Sequence, residues 1–316
     1  MPQYKNLTAR VLVALAAIPI ILWLTMHGGY YFFLLITVIS SLALYEFYGL
    51  AIAKGAAPLK TLGLAFGVIV NAVFICERLQ VDIYRFLIDH FGIHIHIFSQ
   101  YQILTVVLVK FLLITMFIEL FRTKGSPIIN IAATAMGVLV ISLCFGMLIF
   151  LRELFSYGFP IQKYFTAALV NDLQLEQINR WGGFTVIAVF ASIWICDTAA
   201  YFGGKTFGKH KLFPRVSPNK TWEGAVFGFI FSVLAFTAAK ILMLEYLSYQ
   251  HAVVLGMLIG IFGQAGDLIE SRFKRDAGVK DSSSIIPGHG GVYDRFDSLI
   301  YVSPIVYLYI DFVVLL

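Results

Sequence analysis

The stretch at residues 271–297, SRFKRDAGVKDSSSIIPGHGGVYDRFD, sets five basic residues, four aspartates and a histidine between two strongly apolar segments. Just upstream, Asp267, Glu270 and Ser271 stand at i, i+3 and i+4, so a helix carries all three on one face. Asp294 and Asp297 are three apart at the entry to the last apolar segment and share a face in the same way. Carboxylates converging from two helix ends, with no cysteine or clustered histidine nearby, suit a hard, oxygen-seeking cation such as Mg²⁺. Lys274, Arg275, Lys280 and Arg295 would balance phosphate charge. His289, between Gly288 and Gly290, could be a phosphate donor or an acid/base, but by itself reads as a surface histidine. Transfer of a phosphoryl or nucleotidyl group requires this kind of set: cations neutralise the pyrophosphate while the reactants are held in line.

A second constellation runs over residues 197–224. Asp197 falls inside an apolar span, where an ionisable group is costly and is either functional or paired with a neighbouring helix. Gly203, Gly204 and Gly208 with Lys205 and Lys209 read as a glycine-lysine loop after a helix, open to phosphate oxygens. The segment has no GxxxxGK[ST] and no flanking strand, so it is not a P-loop. Ser217, Asn219 and Lys220 then lead into the next span, with Asn219 or Thr221 as its cap and an anion favoured at its N-terminus.

Both constellations are interruptions in a very apolar chain. Of 316 residues, 59% are hydrophobic and only 13% charged, and the mean hydropathy is +0.85. A soluble domain of this length cannot hide that much apolar surface, so the chain is expected to be all-α and polytopic in a membrane. About nine transmembrane helices are expected, at 11–27, 30–53, 61–76, 102–121, 130–151, 183–204, 221–245, 251–270 and 298–316, the third being short. The first is read as an uncleaved helix rather than a secretory signal, because another span follows almost at once. Five spans fall in an N-terminal region, 1–180, and the rest in a C-terminal catalytic region, 181–316. With nine spans, sixteen lysines and arginines fall on one side and five on the other, which assigns the N-terminus and both charged loops to the cytoplasm. Cys76, Cys144 and Cys196 fit no metal spacing. His90, His94 and His96 alternate with apolar residues, as in an interfacial segment on the far side.

Residues 271–297 resemble the signature of the phosphatidate cytidylyltransferases, or CDP-diacylglycerol synthases. Its fixed positions are filled by Ser271, Phe273, Lys274, Arg275, Lys280, Asp281, Ser283, Ile286, Pro287, His289, Gly290, Gly291, Val292, Asp294, Arg295, Phe296 and Asp297. The Ser217–Gly224 segment and Asp197 look like that family too. The resemblance is close over about the last 120 residues; the earlier spans match only in being polytopic. It implies an enzyme of the inner (plasma) membrane that transfers CMP from CTP to phosphatidate, giving CDP-diacylglycerol and pyrophosphate. It implies Mg²⁺, with room for a second, monovalent cation, and a homodimer whose active site faces the cytoplasm. Asp267 and Asp294 are then cation ligands, and Asp297 and Asp197 ligands or partners behind them. Lys280, Arg295 and His289 join the catalytic set, while Lys205, Ser217, Asn219, Lys220, Ser271, Lys274 and Arg275 contact substrate. CTP, phosphatidate and membrane lipids are the expected partners, and nucleic acid is not. Three other readings stay open: a CTP-using transferase with another lipid acceptor, a transporter, and a lipid-binding scaffold. Against the transporter stand the missing internal repeat and the unexplained charged loop.

Overall fold

A computed structural model describes residues 2–165, 171–286 and 290–316, without the side chains of 2–10 and 12–14. The helices in order are α1 (Pro2–His27), α2 (Gly29–Ala53), α3 (Lys60–Val73), α4 (Cys76–Phe91), α5 (Gln100–Leu120), α6 (Pro127–Gly137), α7 (Leu143–Glu153) and the single turn α8 (Ile161–Tyr164). There follow α9 (Asp172–Phe207), a hairpin of β1 (Lys211–Phe213) and β2 (Ser217–Thr221), α10 (Trp222–Met243), α11 (Tyr249–Asp276) and α12 (Tyr293–Tyr309). A π-helical turn at Val138–Ser142 welds α6 to α7, and another at Ile310–Val314 ends α12.

Among the described residues, seven helical runs are long and apolar enough to cross a membrane, or eight if the bent pair α3 and α4 counts as one. The first expected span lies in α1, whose shorter apolar part is Leu15–His27. The third expected span ends early for a physical reason. Helix α3 is apolar, but α4 carries Glu77, Arg78, Asp82, Arg85 and Asp89, and the two helices meet at 71°. A helix with one charged face lies along the interface instead of crossing it. The histidines of 90–96 begin at its end, and the chain from Gly92 to Ser99 forms no helix or strand.

Polar contacts sort the helix ends into two faces. On one, Lys54 pairs with Asp276 at 3.1 Å, and Arg122 donates to the Ala57 carbonyl and pairs with Glu119. On the other, Arg78 pairs with Glu153 at 2.9 Å and Lys163 donates to the Val314 carbonyl. Buried Arg152 lies on this second face, donating to the carbonyls of Thr25 and Met26 at the end of α1 and to Asn179. These are the alternating loops that the basic residues mark out in sequence.

The two parts of the chain share one apolar core, and α9 runs unbroken through position 180. Helix α12 leans on α2 and α7: Phe47 meets Tyr293 and Phe273 edge to face at about 6 Å, and Phe145 meets Phe296 at 6.4 Å. Helix α2 therefore stands directly behind the start of α12. Helices α9 and α10 pack closely at small residues, since a Cβ on Gly224 would come within 2.7 Å of the Ala200 carbonyl. Thr221 caps α10 by accepting from the Gly224 N–H at 3.2 Å, as its position before the apolar run predicts.

Candidate active site

The charged residues of α9, the hairpin, α11 and α12 line one cavity of about 910 Å³. Its walls include Asp197, Lys205, Asn219, Lys220, Asp267, Lys274, Asp294, Arg295 and Asp297. Ala17, Ile18 and Trp194, from spanning parts of α1 and α9, also line it. Anionic and apolar parts of one ligand can thus be held together.

Three carboxylates form the centre. One oxygen each of Asp267, Glu270 and Asp297 lie within 4.8 Å of one another. Asp267 reaches Lys220 Nζ at 2.5 Å and accepts from the Ser271 hydroxyl at 3.4 Å. Asp297 accepts from the Ser298 N–H at 2.6 Å. Glu270 is 1% exposed. Its Oε2 meets Lys274 Nζ as a close ion pair at 2.7 Å. A buried carboxylate paired with Lys274 and set beside two more carboxylates fits a cation held by oxygen ligands.

Asp294 belongs to a neighbouring network. It accepts from Lys274 Nζ at 2.9 Å, the Ser282 N–H at 3.0 Å and the Gly291 N–H at 2.8 Å. Lys274 joins the two carboxylate groups, pairing with Glu270 on its own helix and with Asp294 across the cavity. The tight turn before α12 depends on Gly290, at φ +84°, and on Gly291, where a Cβ would collide with Ser282 Oγ and come within 2.5 Å of Glu46 Oε2.

Most expected site residues are brought together, though not all at one centre. Asp267 and Asp297 share the carboxylate centre, whereas Asp294 lies in the adjoining network and Asp197 lines the cavity outside the centre. Lys205 lines the cavity from within α9 rather than from a loop, because Gly203 and Gly204 continue the helix and let it pack against Phe227 and Thr221. The loop begins later and is held by Glu223, which accepts from the Lys209 and His210 N–H groups and pairs with the His210 ring at 2.6 Å. Ser217, Ser271, Arg275 and Lys280 do not line the cavity. Ser271 supports Asp267. Arg275 donates to the carbonyls of Val216 and Val279, fastening the hairpin to the end of α11. Lys280 is exposed. His289 lies outside the described residues.

Sequence spacing puts Glu270 on the face of Asp267, but only its burial singles it out. Glu46 carries one local signal, a charge inside an apolar span, and nothing that names its partners. It comes from α2, is 2% exposed, and accepts from Ser282 Oγ at 3.0 Å, Ser283 Oγ at 2.5 Å, the Val292 N–H at 3.0 Å and the Tyr293 N–H at 2.7 Å.

Fold and cavity together define a polytopic helical membrane protein with a charged, cation-compatible chamber at the ends of its last helices. The chain belongs to the cytidylyltransferase family, whose pattern matches residues 8–313. It is similar to the phosphatidate cytidylyltransferase of Bacillus subtilis strain 168, with 38% identity over 135 residues, 43% of this chain and 50% of that protein. The phosphatidate cytidylyltransferase of Staphylococcus saprophyticus is 43% identical over 140 residues, covering 43% of this chain and 52% of that protein. That of Staphylococcus haemolyticus is 47% identical over 124 residues, 38% and 46% of the two chains. The chain spans about half the length of these curated relatives.

Proposed function

We propose that the protein is a phosphatidate cytidylyltransferase. A phosphate oxygen of phosphatidate attacks the α-phosphorus of CTP, forming a new P–O–P linkage. The bond from the α-phosphorus to the β-phosphate oxygen breaks, and pyrophosphate leaves with the electron pair. Phosphatidate is already anionic near neutral pH, so no strong base is needed. The observation that carries this reading is the cavity itself, where carboxylates, lysines and apolar residues from the spans meet in one chamber.

Asp267, Glu270 and Asp297 are the residues that would hold a divalent cation, Mg²⁺ being the ion that suits an all-oxygen set, with Asp294 and Asp197 close by. When bound, that ion neutralises phosphate charge and orients the reacting groups. Lys220, Lys274, Lys205 and Arg295 line the same chamber and reduce repulsion between two anions, which is the main obstacle to bringing them into line. Asn219 lines it as a neutral polar contact. Ser217, Ser271, Arg275 and Lys280 then act around the chamber rather than in it. A monovalent cation beside the divalent one, and a part for His289, rest on the family resemblance alone.

In this reading residues 181–316 hold the chemistry, and 1–180 supply the spans behind it. The charged face looks into the cytoplasm of a cell whose inner membrane holds the protein, since the basic excess lies there. Helices α5 and α10 are left mostly uncovered by the rest of the chain, offering surface to lipid or to a second copy in a homodimer.

The test is CDP-lipid and pyrophosphate formation from labelled CTP by the purified protein, with phosphatidate set beside other lipid acceptors, with and without Mg²⁺. Phosphatidate is expected to be the acceptor and Asp267→Asn to be inactive though normally inserted. Failure with phosphatidate but turnover with another lipid would replace the acceptor. Near-normal turnover by Asp267→Asn would remove the cation assignment.

A further inference from the structure

We propose that Glu46, in the second helix of the chain, is a positioning residue that clamps the loop leading into α12 and Asp294. The inference rests on the function proposed above and extends the site into the N-terminal region. The first turn of α12 has N–H groups with no intrahelical acceptor, and its cap position, Val292, supplies no side-chain acceptor. Glu46 provides one from a different helix, taking the N–H groups of Val292 and Tyr293. A carboxylate there is favoured by the positive end of the helix dipole. The same carboxylate accepts from the hydroxyls of Ser282 and Ser283 on the other limb of the loop.

Asp294 grips the same two limbs, through the Ser282 and Gly291 N–H groups. Thus Ser282 and the 291–293 turn are held by Glu46 from α2 and by Asp294 from α12. Gly291 has no room for a side chain between Ser282 and Glu46, so the contact is close. Glu46 does not line the cavity; it acts through the loop, not on substrate.

Glu46→Gln keeps the size and replaces one acceptor oxygen with a donor, leaving two of the four donors, one N–H and one hydroxyl, poorly matched. Amide hydrogen exchange of the full-length protein in lipid nanodiscs should rise about tenfold or more over 282–286 and 290–293, with other helices little changed. In the CTP and phosphatidate assay, kcat should fall about tenfold or more while KM for CTP moves less than about threefold. Val70→Ala, in the core of α3, measures what general loosening does to both readouts. The proposal is overturned if exchange in the loop is unchanged, or if the kcat loss in Glu46→Gln is no larger than in Val70→Ala at equal thermal stability. Exchange is read without substrate. A wild type that makes no CDP-lipid refutes the function and with it the catalytic half of the proposal, while exchange alone still decides whether Glu46 holds the loop.

Discussion

Replacing Asp297 by asparagine should make the cation-free protein no less stable than the wild type, while removing its response to Mg²⁺. The sign follows from the geometry. Three carboxylate oxygens lie within 4.8 Å of one another, and at an effective dielectric constant of about 20 each ionised pair at that distance repels by roughly 3.5 kcal/mol. With all three ionised, asparagine removes two of the three pairs, about 7 kcal/mol of gross repulsion on the same scale, and less in proportion as a buried carboxyl is neutral. Lys220 and Lys274 attract the same carboxylate group and offset much of this, so the net effect should be about 0–3 kcal/mol in favour of the variant. In the wild type, a cation that binds only the folded state adds stability, about 2.7 kcal/mol at one hundred times its dissociation constant. The assay is the apparent midpoint of thermal unfolding in detergent, with a chelator and then across a Mg²⁺ series. The wild type should rise by several degrees and the variant should stay level. A variant that is less stable in chelator yet gains as much from Mg²⁺ as the wild type would refute the carboxylate centre as a cation site.

Three further substitutions separate catalysis from folding. Lys220→Ala leaves Asp267 without its 2.5 Å partner and takes a cation from the cavity wall; turnover at low CTP should fall at least tenfold, and unchanged CTP and lipid kinetics would remove Lys220 from the site. Gly291→Ala places a methyl group against Ser282 and Glu46, so the loop must shift at a cost of about 1–3 kcal/mol, and activity should drop well beyond any loss of thermal stability. Arg152→Ala removes a side chain that is 0% exposed and makes three hydrogen bonds; it should cost about 2–4 kcal/mol in stability, while turnover per folded molecule stays near that of the wild type.

The spans were legible in the sequence because lipid leaves the backbone few options, and long apolar runs that must satisfy their own hydrogen bonds become helices. The carboxylate face was legible for a related reason: Asp267 and Glu270 are one helical turn apart, and spacing alone puts them together. Other features lay beyond local reading. Gly203 and Gly204 looked like loop residues, but packing against Phe227 and Thr221 keeps them helical, and tertiary contact outweighs their weak intrinsic preference. The hairpin strands at Lys211–Phe213 and Ser217–Thr221 are too short to leave a periodic pattern. Glu46 sits in an apolar run some 240 residues before its partners, and a lone glutamate there gives the sequence nothing to pair it with. Its one local anomaly is a charge inside a span, as at Asp197.

The pairing of charges also offsets the cost of gathering so many ionisable groups in one chamber. Buried or half-buried carboxylates and lysines would each be costly alone. Here Lys220 lies against Asp267, and Lys274 lies between Glu270 and Asp294. An arriving nucleotide brings phosphate oxygens that compete with those carboxylates for the same lysines, and each lysine that turns to phosphate leaves a carboxylate to be balanced. Under the proposed function, a divalent cation among Asp267, Glu270 and Asp297 would do that balancing, so cation and nucleotide should bind with mutual reinforcement. Glu270 is the residue on which this coupling bears hardest, because it is buried and has Lys274 as its ion-pair partner. Glu270→Gln should therefore weaken the dependence of CTP affinity on Mg²⁺ more than it weakens CTP binding in chelator. Calorimetric titration of CTP at several Mg²⁺ concentrations reads both quantities, and parallel losses in the two would show that cation and nucleotide are not linked through this residue.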